Sequence, residues 1–223
     1  PLLMRFLCSQ CQTIVEGKPG EELDCTLCGA KITFPADHLS PGCVIGDFAI
    51  VRELARGGVG VVFLARQLSL DRPVALKILQ QKFTADAEFI QNFIREARVA
   101  ARISHPNIVQ AYAVGEEDGI FYFAMEFIDG STMKQVLKNE GKVDPKRAAE
   151  IIRDITEALG CAWTEQKLVH QDIKPDNIML TKRGQAKLAD LGLARVAVGS
   201  DSGAGDDEVM GTPQYISPEQ ADV

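Results

Sequence analysis

Four of the chain's six cysteines lie within its first 28 residues, as Cys8-x2-Cys11 and Cys25-x2-Cys28 with 13 residues between the pairs. Two residues between thiols let both sulfurs turn onto one cation, and two such knuckles complete a tetrahedral four-sulfur shell suited to Zn²⁺. Four protein ligands leave no coordination position open, so the metal is read as structural. Two disulfides, or an iron–thiolate or redox pair, are the competing readings. The short apolar N-terminus does not make a secretory signal, which weakens the disulfide reading. Gly29, directly after the second knuckle, accepts the positive φ of a tight turn. A segment of about 35 residues cannot bury an adequate core, so a metal–thiolate site must supply most of its folding free energy.

This segment resembles a zinc ribbon, expected over residues 1–36, and the resemblance implies a protein partner. Its charge is −2 over residues 1–40 and the whole chain carries −7, which disfavours nucleic acid as a partner. No run approaches the ~18 apolar residues of a membrane span, because Glu126 interrupts the longest one, from Ile120 to Ile128. A cytoplasmic location is expected, with any membrane anchor left to chain beyond Val223. Residues 37–45, around Pro41-Gly42, have the composition of a linker. His38 is read there as a surface residue, and Cys43 and Cys161 as small buried hydrophobes.

The remaining residues change period midway. Phe48–Val51, Val61–Ala65 and Val74–Leu79 are strand-like runs divided by Gly-rich and Asp-Arg-Pro turns. Residues 86–103 take a helical period, with Phe89, Phe93, Ala97, Ala100 and Ile103 on one side. Glu96 falls on that same side, where a carboxylate needs a cationic partner. Two further strands, Ile108–Val114 and Ile120–Phe127, flank a turn at residues 116–119. Asp144-Pro145 opens a helix with Ala148, Ile151, Ile152, Ile155, Leu159 and Ala162 as its apolar positions. Short strands are expected near residues 168–169, 178–180 and 186–188.

Chemistry-bearing residues punctuate this pattern. The first hairpin turn, Leu54-Ala55-Arg56-Gly57-Gly58-Val59-Gly60-Val61-Val62, lets backbone N–H groups approach phosphate oxygens. A strand follows it rather than a helix, which excludes a Rossmann or Walker loop. Val74-Ala75-Leu76-Lys77 then places a lysine on a strand, and Lys77 and Glu96 each supply the partner the other needs. Val169-His170-Gln171-Asp172-Ile173-Lys174-Pro175-Asp176-Asn177, Leu188-Ala189-Asp190-Leu191-Gly192 and Gly211-Thr212-Pro213-Gln214-Tyr215-Ile216-Ser217-Pro218-Glu219 complete the series.

In that order and spacing, residues 46–223 resemble the eukaryotic-type protein kinases, most nearly the bacterial serine/threonine members. The resemblance implies an α+β, bilobal fold preceded by the ribbon. The N-lobe and hinge, an antiparallel sheet plus one helix, would span residues 46–128, and a mostly helical, partial C-lobe residues 129–223. It implies a signalling kinase that transfers the γ-phosphoryl of ATP, with Mg²⁺ or Mn²⁺, to a protein Ser/Thr hydroxyl. Leu54, Ala55, Gly57, Gly58 and Gly60 would cover the phosphates, and Lys77, held by Glu96, would bind the α- and β-phosphates. Asp190 and Asn177 would hold the metal ions. Asp172 would accept the substrate proton, and Lys174 would neutralise the transferring group. Val62, Ala75 and Met179 would sandwich the adenine, Glu126 and Ile128 would bound its backbone contacts, and Met125 would line the back of the pocket.

Departures from the family follow. Ala55 stands at the first loop glycine and Leu191 at the usual Phe. The family continues with further helices after Glu219, so a chain from Pro1 to Val223 reads as a fragment, inactive if those helices are required. The alternative reading is a pseudokinase or nucleotide-binding scaffold, disfavoured because Lys77, Glu96, Asp172, Asn177 and Asp190 are all present. Gln171 replaces the Arg that pairs with a phosphorylated activation segment, and a neutral amide cannot make that bidentate ion pair. Phosphorylation between Leu193 and Met210, at Ser200 or Ser202, is therefore expected to activate weakly. Phosphatase-treated and phosphorylated full-length enzyme should have similar kcat, and a rise of about tenfold on phosphorylation would contradict this reading.

Overall fold

The computed structural model describes residues 3–191, 213–215, 217 and 218. They divide into two units, Pro1–Ala85 with Ala113–Phe127, and Asp86–Tyr112 with Ile128–Val223. Gly192, Ser200, Ser202, Gly211, Thr212, Ile216 and Glu219 lie outside the described residues.

In the first unit, strands β1 (Met4–Leu7), β2 (Ile14–Gly17), β3 (Glu22–Asp24), β4 (Lys31–Thr33), β5 (Cys43–Ile45), β6 (Phe48–Arg56), β7 (Gly60–Gln67) and β8 (Arg72–Leu79) precede a 3-10 turn at Gln81–Phe83. Strands β9 (Ala111–Glu117, in this unit from Ala113 onward) and β10 (Ile120–Glu126) follow. Eight strands form one sheet in the order β2-β1-β5-β6-β7-β8-β10-β9, while β3 and β4 pair separately. Residues 43–45, within the segment read as a linker, are thus a sheet strand. β1 pairs with β5 through Arg5↔Val44 and Phe6↔Cys43, so the cysteine module and the glycine-loop hairpin share one sheet.

Strand alternation decides what each face carries. Val61↔Ile78, Phe63↔Leu76 and Ala65↔Val74 are paired and buried on one face. Removing each of the larger side chains from water contributes about 1.5–3 kcal/mol. The β9–β10 turn falls where expected, with Asp118 (φ 52°) and Gly119 (φ 79°) in the left-handed conformation of a two-residue hairpin. The cysteine module has a core of only Met4, Val15, Ile32 and Phe34, with Phe6 and Phe34 ring centroids 5.7 Å apart.

The second unit contains helix α1 (Ala87–Ala100), strand β11 (Gly130–Thr132), helices α2 (Met133–Glu140) and α3 (Pro145–Gln166), strands β12 (Ile178–Thr181) and β13 (Ala186–Leu188), and a 3-10 turn at Pro213–Tyr215. Each helix starts on a side-chain cap. Asp86 accepts from the Glu88 and Phe89 amides, Thr132 and Gln135 form a capping box, and Asp144 accepts from the Lys146 and Arg147 amides. The buried stripe of α1 is Phe89, Phe93, Glu96, Ala97 and Ala100, while Ile103, expected on the same helix, is buried beyond its end at Ala100. On α3 it is Ile151, Ile155, Ala158 and Ala162, and this helix packs on β13.

Three expectations are corrected. Ile152 is 58% exposed, because it lies one position, roughly 100° of helix turn, from buried Ile151. Cys161 is only partly buried on α3, whereas Cys43 is buried and its thiol is pushed up to about 11, chiefly by burial. Residues 168–169 form no strand, and the Leu168 amide instead bonds back to the Ala162 carbonyl at the helix end. Among the described residues, no helix is long and apolar enough to cross a membrane.

Candidate functional site

In the first unit the sheet register collects the expected nucleotide positions on one face. Ala55 is paired with Val62, Val62 with Lys77, and Ala75 with both Leu64 and Met125. Ala55, Val62, Ala75, Lys77 and Met125 therefore project from the same side of the sheet, opposite to Val61, Phe63 and Leu76. Leu54 sits at a register shift between Glu53 and Ala55 and does not share that alternation. Glu126 ends β10 half-buried.

The three loop glycines differ in what they allow. The Gly57 amide donates to the Gly60 carbonyl at 2.9 Å and closes the turn, and Gln80 holds the loop through Nε2 to the Gly57 carbonyl at 2.8 Å. A Cβ on Gly58 would meet nothing within 4 Å, and one on Gly57 only the Gly60 carbonyl oxygen at 3.9 Å. A Cβ on Gly60 would stand 2.3 Å from the Ile78 carbonyl oxygen of β8. Gly60 is thus required by strand packing, while Gly57 and Gly58 leave space for a ligand.

In the second unit a second cluster forms on the loop between α3 and β12. Lys174 Nζ lies 2.7 Å from Asp172 Oδ2. Asn177 Nδ2 donates to Asp172 Oδ2 at 3.0 Å and to the Asp172 carbonyl at 2.8 Å. Both partners are acceptors, which fixes the amide orientation and leaves the Asn177 side-chain oxygen as what it offers a cation. The Ala189 amide donates to the Asn177 carbonyl at 2.8 Å, which places Asp190 one residue from this loop. Asp190 supplies a second hard oxygen donor, so the set suits Mg²⁺. Met179, on β12, pairs with Thr132 and Lys187. Glu96 is buried on α1 and Ile128 is buried after β10.

Two residues absent from the expected site organise this cluster. His170 is 2% exposed; its Nδ1 accepts from the Asp172 amide at 3.3 Å, and its Nε2 lies 3.0 Å from the Ala189 carbonyl. One nitrogen accepts and the other donates, which defines the tautomer. Asn107 is buried and donates to the Ala186 carbonyl at 2.7 Å, while its own carbonyl accepts from the Leu188 amide at 2.8 Å. In the sequence each is visible only as a polar residue, which carries no partner with it.

The sulfurs of Cys8, Cys11, Cys25 and Cys28 all lie within 4.8 Å of one another. Cys8 and Cys28 are 3.7 Å apart and Cys11 and Cys25 3.5 Å, close to the ~3.8 Å edge that four bonds of ~2.3 Å give a zinc tetrathiolate. A disulfide needs about 2.05 Å, and all four cysteines are free. The knuckles share one backbone scheme. The Gln12 amide donates to the Cys8 carbonyl and the Gly29 amide to the Cys25 carbonyl, both at 2.9 Å, with Gln12 (φ 63°) and Gly29 (φ 72°) left-handed. Hydrogen bonds from the Thr13 side chain and amide bring the Cys11 thiol down to about 6. At Cys28 the Ala30 amide favours the thiolate, but desolvation and the neighbouring sulfurs outweigh it and push the thiol up to about 12. A fourfold thiolate in this space needs a cation. His38 is not among its ligands.

The protein kinase domain family matches residues 48–221. Serine/threonine-protein kinase PrkC of Bacillus subtilis is 42% identical over 178 residues, which cover 80% of this chain and 27% of that protein. Serine/threonine-protein kinase PknB of Mycobacterium leprae is 38% identical over 188 residues, covering 82% and 29%. The chain thus spans little more than a quarter of the length of these relatives. The crystal structure of the Mycobacterium tuberculosis PknI kinase domain superposes with a TM-score of 0.63 at 32% identity, covering 73% of this chain and 69% of that one.

Gly60 and Gly58 should respond differently to substitution. Gly60→Ala should cost about 1–3 kcal/mol through overpacking, and Gly58→Ala should leave stability nearly unchanged. Thermal unfolding of both variants checks this, and equal midpoints would contradict it.

Proposed function

Because the chain belongs to the protein kinase family, we propose that it carries the catalytic apparatus of an ATP- and Mg²⁺-dependent serine/threonine kinase, and that its first 36 residues form a structural zinc module. The observation that supports the first reading best is the Asp172–Lys174–Asn177 cluster, tied through Ala189 to Asp190. In this reading Asp172 accepts the hydroxyl proton of a protein Ser or Thr. Asn177 and Lys174 both engage its Oδ2 and so hold the carboxylate in one orientation. Lys174, beside the base, offsets negative charge on the transferring phosphoryl group. Asn177 and Asp190 hold Mg²⁺, which when bound screens the phosphate charge. Lys77 engages the α- and β-phosphates, with Glu96 as its counter-charge in the family assignment. Gly57 and Gly58 leave room for the phosphates, and Ala55, Val62, Ala75, Met125, Glu126, Ile128 and Met179 are assigned to the nucleotide. The chemistry needs alignment and charge neutralisation more than covalent work, and a cluster of fixed charges supplies both.

Phosphoryl transfer tests this assignment. In the full-length protein, Asp172→Asn should lower label transfer from ATP by about 10²–10⁴-fold with nucleotide affinity retained. Transfer unaffected by the substitution would reject the assignment.

The zinc reading rests on four free sulfurs within 4.8 Å of one another, with Cys8–Cys28 and Cys11–Cys25 near tetrathiolate spacing. The purified chain should hold about one zinc, lost on Cys8→Ser or Cys25→Ser. At pH 7.5 Cys11, at about 6, is already ionised and Cys28, at about 12, is not. Zinc uptake must therefore release the Cys28 proton, and affinity falls as pH drops through 6, where Cys11 also gains one. Calorimetry in buffers of different ionisation enthalpy counts this release; uptake without proton release would count against the tetrathiolate.

A further inference from the structure

We infer that the cysteine cluster is a regulatory metal site for the glycine-loop hairpin, so that zinc binding and nucleotide binding are thermodynamically coupled. This rests on the zinc and nucleotide readings above. A tethered adaptor module would meet its neighbour through a few side chains. Here β1, which ends one residue before Cys8, is hydrogen-bonded by backbone on both sides, to β2 and to β5.

Three contacts carry the coupling. Arg5 on β1 donates through Nη1 to the Gly46 carbonyl at 3.1 Å and to Glu117 Oε1 at 2.7 Å, and Glu117 Oε2 accepts from the Gly46 amide. Both backbone groups of Gly46, in the turn from β5 into β6, are therefore held by one half-buried ion pair. Phe6 on β1 lies against Gly42, where a Cβ would stand 2.5 Å from its ring. Gln12, the residue after Cys11, accepts through Oε1 from Arg66 Nη1 of β7 at 2.9 Å. Arg66 is fixed in turn by Asp71 at 2.6 Å.

The contacts reach the turn that leads into β6 and the strand β7, and these two strands carry the glycine loop, since β6 ends at Arg56 and β7 begins at Gly60. With the metal bound, the first knuckle is rigid and holds Gln12 and the end of β1 in place. Without it, the core of Met4, Val15, Ile32 and Phe34 is too small to order the knuckles, and both supports of the hairpin loosen. Linkage makes the effect reciprocal: zinc tightens Mg-ATP binding, and Mg-ATP tightens zinc.

The experiment titrates Mg-ATP into the full chain as loaded with zinc and as stripped by chelator, with metal content and backbone hydrogen exchange measured on each sample. The expected result is about one zinc, an Mg-ATP dissociation constant at least about fivefold weaker after stripping, and faster exchange across residues 43–67. The double variant Arg5→Ala with Gln12→Ala should keep zinc yet show the weaker nucleotide affinity and faster exchange of the stripped chain. Because it retains the metal, it also decides the matter if stripping unfolds the chain. Nucleotide affinity within about twofold and unchanged exchange, in the double variant or on stripping, would overturn the coupling. A chain that takes up no zinc overturns the metal reading and this inference with it. Zinc uptake without any effect on residues 43–67 overturns this inference alone.

Discussion

A single imidazole sets the separation between the two loops that carry the candidate catalytic groups. His170 accepts from the Asp172 amide and meets the Ala189 carbonyl, so it spans the interval between the proposed base and the proposed metal ligand. The Ala189 amide adds a direct bond to the Asn177 carbonyl. A buried ring in this position has no water to replace a lost partner, and each unsatisfied backbone group would cost about 1–3 kcal/mol. The positions of Asp172, Asn177 and Asp190 are consequently not independent. Asn107 extends the same constraint backward, since its side chain and carbonyl hold Ala186 and Leu188 of the strand that leads into Asp190.

What the sequence could show of this depended on whether a feature repeats. The strand-like runs carrying Val62, Ala75, Lys77 and Met125 were legible, but these residues were named through the resemblance, and their common face follows from the register between strands. The helical period placed Glu96 among Phe93, Ala97 and Ala100. It failed at Ile152, where an apolar residue beside the stripe is indistinguishable by composition from one within it. The four-cysteine spacing was legible because two Cys-x2-Cys knuckles recur in the sequence, and the structure brings their four sulfurs within 4.8 Å of one another. The joining of that module to the large sheet was not legible: Arg5↔Val44 pairing is set by register between segments nearly forty residues apart, and no local pattern encodes it. His170, quoted in its motif, had no assigned partner for the same reason.

The cysteine module also changes what the neighbouring strands must supply for themselves. A sheet edge at β5 would present unpaired backbone groups, a template for unwanted pairing. β1 covers that edge, and the exposed edge passes to β2, a strand of only four residues. Short edge strands are one of the ways proteins limit such pairing. The module is therefore useful to the sheet in a way that a flexible tether would not be.

Two of the six described non-glycine residues with positive φ stand beside the proposed catalytic cluster. Gln171 (φ 63°) and Asp190 (φ 58°) are left-handed without being glycine, and they stand immediately after the two points that His170 joins, itself and Ala189. Each such position costs of order 1–3 kcal/mol and persists only where surrounding bonds over-determine the backbone. The His170, Asn177 and Ala189 hydrogen bonds are those surrounding bonds. Glycine at either position would remove the backbone cost, but at Asp190 it would also remove the carboxylate assigned to the proposed metal site. In the proposed site a carboxylate thus stands at a turn that sterics would give to glycine, and the hydrogen bonds of the buried histidine help to hold the backbone there.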